Sequence, residues 1–192
     1  MREQAGDLFE LLGRGLCANV NREPKPDGFD AICIPTNGIV LDSGAAVMGK
    51  GLALQAKERW PGIDFILGRS IQQVGNIVQV LTGDYGGDPR DRERHPGVPM
   101  LWDERFGGSP DADGTVVPWH IVAFPTKHHW RDPASLPLIQ RSAERLVVVA
   151  DRQKWRRVAL PRPGCGAGGL AWPHVKPLLA CLDDRFVVVY RG

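Results

Sequence analysis

The chain has 192 residues and a mass of 21.1 kDa, the length of one domain, enough to bury about 70 % of its unfolded surface. Its 23 glycines and 16 prolines exceed the usual combined share of about 12 %. Yet 43 % of the residues are hydrophobic, which excludes a disordered chain, and no 18-residue apolar run exists to span a membrane, while a net charge of +2 is too small to argue for nucleic acid by itself.

The opening MREQAGDLFE has no apolar core of signal-peptide type, so a cytoplasmic location is expected. Short runs rich in Val and Ile then read as buried strands: Asp30–Pro35, Asn76–Leu81, His120–Pro125, Arg157–Leu160 and Arg185–Tyr190. Between the first two, Gly49–Trp60 reads as a helix stopped by Pro61. Residues 84–114 break the rhythm, with ten of 31 positions Gly or Pro. Four Arg against eight Asp or Glu give this stretch a charge of −4, which leaves +6 on the remainder. It reads as a loop insertion within a single domain covering 1–192. Pro133–Gln153 reads as a helix capped by Asp132, with Leu136, Ile139, Ala143, Leu146, Val147 and Ala150 on one face. Pro173–Leu182 reads as the last helix. Strands alternating with helices imply an α/β layered domain with a largely parallel sheet.

Cys17, Cys33, Cys165 and Cys181 form no C-x-x-C pair, which argues against a disulfide framework or a zinc site. The adjacent His128 and His129 lack the spacing of two ligands on one helix face, so no metal and no cofactor is expected. Two glycine-rich segments are more informative. Gly44–Gly51 (GAAVMGKG) has the glycine and lysine spacing of a P-loop, but Gly51 stands where a magnesium-holding hydroxyl is required. Gly164–Gly169 (GCGAGG) satisfies G-x-G-x-x-G, but the remaining chain is too short for the ribose-binding acid of a dinucleotide fold. Neither an NTPase nor a dehydrogenase is supported. Both segments lie between a strand and a helix, where backbone N–H groups can approach a diphosphate closely.

Three blocks, Val47–Gln55 (VMGKGLALQ), Phe124–Arg131 (FPTKHHWR) and Pro163–Pro177 (PGCGAGGLAWPHVKP), resemble macrodomains, and Gly6–Phe9 (GDLF) resembles their start motif. The similarity is to the bacterial DarG-like branch, DNA ADP-ribosylglycohydrolases of toxin–antitoxin pairs. The resemblance implies a three-layer α/β/α sandwich around a mixed, mostly parallel sheet, with ADP-ribose across the carboxyl ends of the strands. By position it implies that Asp7 and the backbone at Leu8 hold the adenine, and that Asn37 contacts the distal ribose. Met48, Gly49, Lys50 and Gly51 would surround the diphosphate and distal ribose, with Pro125 and Thr126 leading into the site. Gly164, Cys165, Gly166, Ala167, Gly168 and Gly169 would form the second diphosphate loop. Lys127 and Asn37 would be catalytic. The implied partners are ADP-ribose, ADP-ribosylated single-stranded DNA and a cognate ADP-ribosyltransferase toxin, with no membrane.

Cleavage at the anomeric carbon of the distal ribose develops positive charge there and negative charge on the departing group. A lysine beside that carbon can donate a proton or hydrogen bond, or, desolvated, attack the opened sugar as an amine. The chain departs from the family pattern in three places. Ile34 stands where an earlier asparagine is frequent, Ile39–Ala46 lengthens the loop beside the distal ribose, and Gly168 replaces the aspartate of a related branch. Asp42, in the lengthened loop, is a candidate replacement carboxylate. His128, His129, Trp130 and Arg131 fit contacts to a splayed base, with Trp102 and Phe106 as further candidates. Two other readings remain: an ADP-ribose reader or sponge without turnover, and a nucleotide-binding module unrelated to ADP-ribose.

Overall fold

The computed structural model describes residues 1–10, 28–81 and 120–191. The expected insertion at 84–114, with Trp102, Phe106 and His95, and Cys17 lie outside the described residues.

Among the described residues six strands form one sheet: β1 (Arg2–Ala5), β2 (Ala31–Thr36), β3 (Gln79–Val80), β4 (His120–Pro125), β5 (Val158–Pro161) and β6 (Phe186–Tyr190), in the order β1-β6-β5-β2-β4-β3. All pairings are parallel except the β3–β4 edge. The central strands alternate between two cores, as the two-residue period of a strand requires. Ile32, Ile34, Ile121, Ala123, Val187 and Val189 face one side. There they meet Ala56 and Trp60 with helix α1 (Gly51–Arg59), and Ile63 and Leu67 of α2 (Ile63–Val74). Ala31, Cys33, Val122, Phe124, Val158, Leu160 and Val188 face the other, against Ile139, Ala143, Leu146 and Ala150 of α3 (Leu136–Arg152) and Val175 of the short α4 (Trp172–Val175). The result is the three-layer α/β/α sandwich with a mixed, mostly parallel sheet.

The differences from expectation have local causes. Helix α3 starts three residues after Pro133, because Ser135 is the cap, its Oγ accepting from the Leu138 N–H at 3.4 Å. Asp132 instead belongs to a turn, its N–H donating to the His129 carbonyl. Leu138 and Ser142 join the buried face of α3, while Leu136 and Val147 are only partly buried. The last helix is a single α turn followed by a 3₁₀ turn, Lys176–Leu179, since Pro177 lacks the N–H that an α ladder needs. The expected strand Asn76–Leu81 contracts to two paired residues. Helix α2 and strand β1 are additions. The 63, 66, 67, 71 spacing of apolar residues between Gly62 and Gly75 is a helical signal. β1 is a polar, largely exposed edge strand and carries none.

Candidate active site

Because five strands run parallel, their carboxyl ends share one edge of the sheet, where ligands collect in open α/β folds. A cleft of about 1120 Å³ lies there, lined from the strand ends by Gly6, Asp7, Thr36, Asn37, Thr126, Lys127, Arg162 and Arg191. Its lining includes five basic side chains (Lys50, Lys127, Arg131, Arg162 and Arg191) and one acidic, Asp7. That balance suits an anionic ligand.

The loops after β2 and β4 are bonded into one unit. Thr126 N–H donates to the Thr36 carbonyl at 3.0 Å, and Gly38 N–H to the His128 carbonyl at 3.1 Å. Asn76, beyond α2, donates from Nδ2 to the Lys127 carbonyl at 2.9 Å, and its amide abuts Gly38, where a Cβ would lie 2.8 Å from Nδ2. Asn37 Nδ2 donates to the Val47 carbonyl at 2.8 Å, and its Oδ1 accepts from the Ile39 N–H at 3.0 Å. One amide hydrogen and one lone pair remain for a ligand.

The segment Ile39–Val47 closes as a hairpin. Val40 and Ala46 form an antiparallel bridge, and Leu41 N–H donates to the Ala45 carbonyl at 2.8 Å. It packs on α2 through Gly68, where a Cβ would lie 2.0 Å from the Gly44 carbonyl oxygen. Gly44, with φ +84°, serves this turn and not the cleft. Asp42 is exposed and outside the lining, so it supplies no carboxylate to the cleft in this conformation.

Two groups of backbone donors belong to residues that line the cleft. At the start of α1, the N–H groups of Gly51, Leu52 and Ala53 have no side-chain cap, as expected at a helix N-terminus open to an anion. In the second loop, the N–H groups of Gly166, Ala167 and Gly168 donate to no acceptor among the described residues. This loop must be glycine at 168, where a Cβ would meet the Gly164 carbonyl oxygen at 2.4 Å and Ala134 Cβ at 2.8 Å. The aspartate of the related branch has no room there. Lys127 joins the two halves: its Nζ donates to the Ala167 carbonyl at 2.9 Å and approaches the Trp130 carbonyl at 3.5 Å.

At the other end, Asp7 Oδ1 accepts from the Phe9 and Glu10 N–H groups at 2.8 and 3.2 Å, capping the helical turn that starts at Leu8. Its Oδ2 is paired with the Arg191 guanidinium. Burial works against the Asp7 carboxylate, but Arg191 and the two N–H donors outweigh it and hold the carboxyl below its usual range. Arg162 lies between two rings, 3.8 Å from the Tyr190 centroid and 4.9 Å from that of Trp172, and pairs with Glu3 at 3.0 Å.

Of the expected site residues, Asp7, Leu8, Asn37, Gly49, Lys50, Gly51, Thr126, Lys127, Gly164, Cys165, Gly166, Ala167 and Gly168 come together in the lining. Met48, Pro125 and Gly169 do not. Met48 is buried in the core, Pro125 ends β4 with its carbonyl taken by Ser142 Oγ at 2.8 Å, and Gly169 N–H turns back to the Gly166 carbonyl. Arg162, Tyr190 and Arg191 are additions, brought in by the ends of β5 and β6. No short motif marks them, and only their positions at strand ends could have signalled them.

The mostly parallel α/β/α sandwich with this cleft defines the class by its fold, a macrodomain fold similar to the macrodomain of Mycobacterium tuberculosis DarG (TM-score 0.62, 24 % identity, covering 100 % of this chain and 97 % of that one). Within that class its likeness is to DarG, as the Thermus aquaticus DarG macrodomain also shows (TM-score 0.54, 26 % identity, 92 % and 96 % covered). In sequence it is 30 % identical over 152 residues to a Mycobacterium tuberculosis protein named DNA ADP-ribosyl glycohydrolase, a match covering 75 % of this chain and 35 % of that protein. The chain thus spans about a third of the length of that relative. Thermosipho africanus DarTG, solved in complex with ADP-ribose, shares the fold (TM-score 0.56, 20 % identity, 85 % and 40 % covered). No protein-family profile matches the chain.

Proposed function

We propose that this chain binds ADP-ribose in the cleft and removes it hydrolytically from a modified macromolecule, with a DNA base as the attachment point. The observation that carries the reading is Lys127 Nζ, held by the Ala167 carbonyl at the junction of two loops whose N–H groups are open to a diphosphate. The names of the relatives and the ADP-ribose in Thermosipho africanus DarTG support it. In this reading the diphosphate lies against Gly166–Gly168, Lys50 and the start of α1, with the adenine toward Asp7 and Leu8. Asn37 offers its remaining hydrogen and lone pair to the distal ribose or to water. Water adds to the anomeric carbon, the bond to the base breaks, and the base leaves with a proton. Lys127 stands as a donor to the departing group. A cytoplasmic location and an ADP-ribosyltransferase toxin as the counterpart belong to the same reading.

The test is a time course of ADP-ribose release from an ADP-ribosylated single-stranded oligonucleotide and from an ADP-ribosylated glutamate peptide. Release from the oligonucleotide, abolished by Lys127→Ala, is expected. Full turnover in that variant refutes the role of Lys127. Calorimetric binding of free ADP-ribose with no release from either substrate replaces hydrolysis by a reader function. Borohydride trapping of a covalent adduct would move Lys127 from donor to amine nucleophile.

A further inference from the structure

The proposed ADP-ribose subsites leave one part of the cleft unassigned. Lys127 is followed within four residues by Trp130 and Arg131, and both side chains line the cleft. Trp130 is 45 % exposed, unusually open for so large an apolar side chain beside a binding cleft. Its surface is organised: Arg131 Cζ lies 4.6 Å from the indole centroid, and the His129 ring stacks on the same indole at 5.6 Å between centroids, 24° between planes. The Arg131 N–H donates to His129 Nδ1 at 3.1 Å, which fixes the backbone of the group. His128 and His129 themselves stand outside the lining.

The charges distinguish this corner. Arg162 is paired with Glu3 and Arg191 with Asp7. Lys50 and Lys127 are accounted for by the diphosphate and the reacting ribose. Arg131 enters no ion pair among the described residues. A planar cation held against an indole, beside the lysine that would stand at the scissile bond, matches a flat partner with phosphates on either side. That is the chemistry of a nucleotide within a single strand.

Resting on the ADP-ribose reading, we propose that Trp130 and Arg131 form a stacking platform for the nucleobase that carries the ADP-ribose. The platform sets the protein's preference for a nucleic-acid linkage over an amino-acid side-chain linkage. An acceptor of the second kind presents neither a ring to stack nor a flanking phosphate.

The experiment compares kcat/KM on an ADP-ribosylated single-stranded oligonucleotide with that on an ADP-ribosylated glutamate peptide, in wild type, Trp130→Ala, Arg131→Ala and Arg131→Lys. Both side chains are exposed, and far-ultraviolet circular dichroism checks the fold of each variant. The oligonucleotide-to-peptide ratio is expected to fall about tenfold to a hundredfold in Trp130→Ala. Arg131→Lys, which keeps charge but not planarity, should fall between wild type and Arg131→Ala. An unchanged ratio overturns the platform, even if both rates drop. A wild type that prefers the peptide also overturns it and makes a protein side chain the acceptor. Failure of the wild type to bind free ADP-ribose by calorimetry overturns the functional reading itself, and the platform with it.

Discussion

The two ends of the cleft solve opposite problems with the same kind of side chain. At the β1–β6 end the cations of the lining are paired: Arg191 with Asp7, and Arg162 with Glu3. At the β2–β4 end Lys50, Lys127 and Arg131 have no carboxylate partner among the described residues. Paired charges hold structure together, and unpaired ones in a cleft wait for an anion or a reacting group. The comparison therefore divides the lining into a scaffold end and a chemical end.

The largest effect belongs to the chemical end. Lys127→Ala should lower kcat on a modified oligonucleotide by about 10²–10⁴-fold, the range for a lost proton or hydrogen-bond donor. Its thermal midpoint should stay close to wild type, because the side chain's protein partners are two exposed carbonyl contacts. A large loss of stability with little loss of turnover would reverse the division.

The second loop supports that lysine, and Gly168→Ala tests it. The new Cβ would collide with backbone at Gly164, so about 1–3 kcal/mol of stability should be lost on denaturant unfolding. The shift should displace the Ala167 carbonyl and lower turnover with it. A wild-type midpoint with wild-type turnover would show that the loop is not held as described.

Lys50→Ala should weaken binding of free ADP-ribose, measured by calorimetry, by about tenfold with no change in midpoint, since Lys50 is exposed and its side chain caps nothing. An affinity unchanged from wild type would leave the diphosphate to the backbone N–H groups alone.

The smallest effect lies at the scaffold end. Asp7→Ala removes a helix cap, at a cost of about 1 kcal/mol. The Asp7 carboxyl is held below its usual range in the folded chain. Its stabilisation is therefore present at neutral pH and is lost as pH falls through the lowered folded value, below about pH 4. Wild type should lose part of its midpoint over that window, and the variant should show a flatter profile. Parallel profiles would mean that the pair contributes nothing to folding.

What was legible in the sequence follows the same split. Strands β2, β4, β5 and β6 announce themselves by Val and Ile, because burial on both faces demands apolar residues at every position. Lys127 and the glycine loops lie in contiguous blocks, so the chemical end was readable from local motifs. The scaffold end was not. Arg191 reaches Asp7 across 184 positions, and Arg162 reaches Glu3 across 159. Nothing local in either sequence neighbourhood specifies such a pair. The glycine of the P-loop-like segment misled for a related reason. Gly44 takes a φ of +84° to turn the hairpin that rests on Gly68 of α2, and it does not serve a phosphate.

That contact decides how the doorway of the cleft behaves. The Ile39–Val47 hairpin carries the extra residues beside the proposed ribose position, but its backbone rests directly on the α2 backbone, and the Ala46 N–H donates to the Asp64 carbonyl at 2.8 Å. Asp64 is itself anchored by Lys57 of α1 at 2.7 Å. The hairpin is therefore masonry shared with two helices. Leu41 and Val47 bring this fixed piece into the lining, so that wall of the cleft keeps its shape as long as the two helices keep theirs.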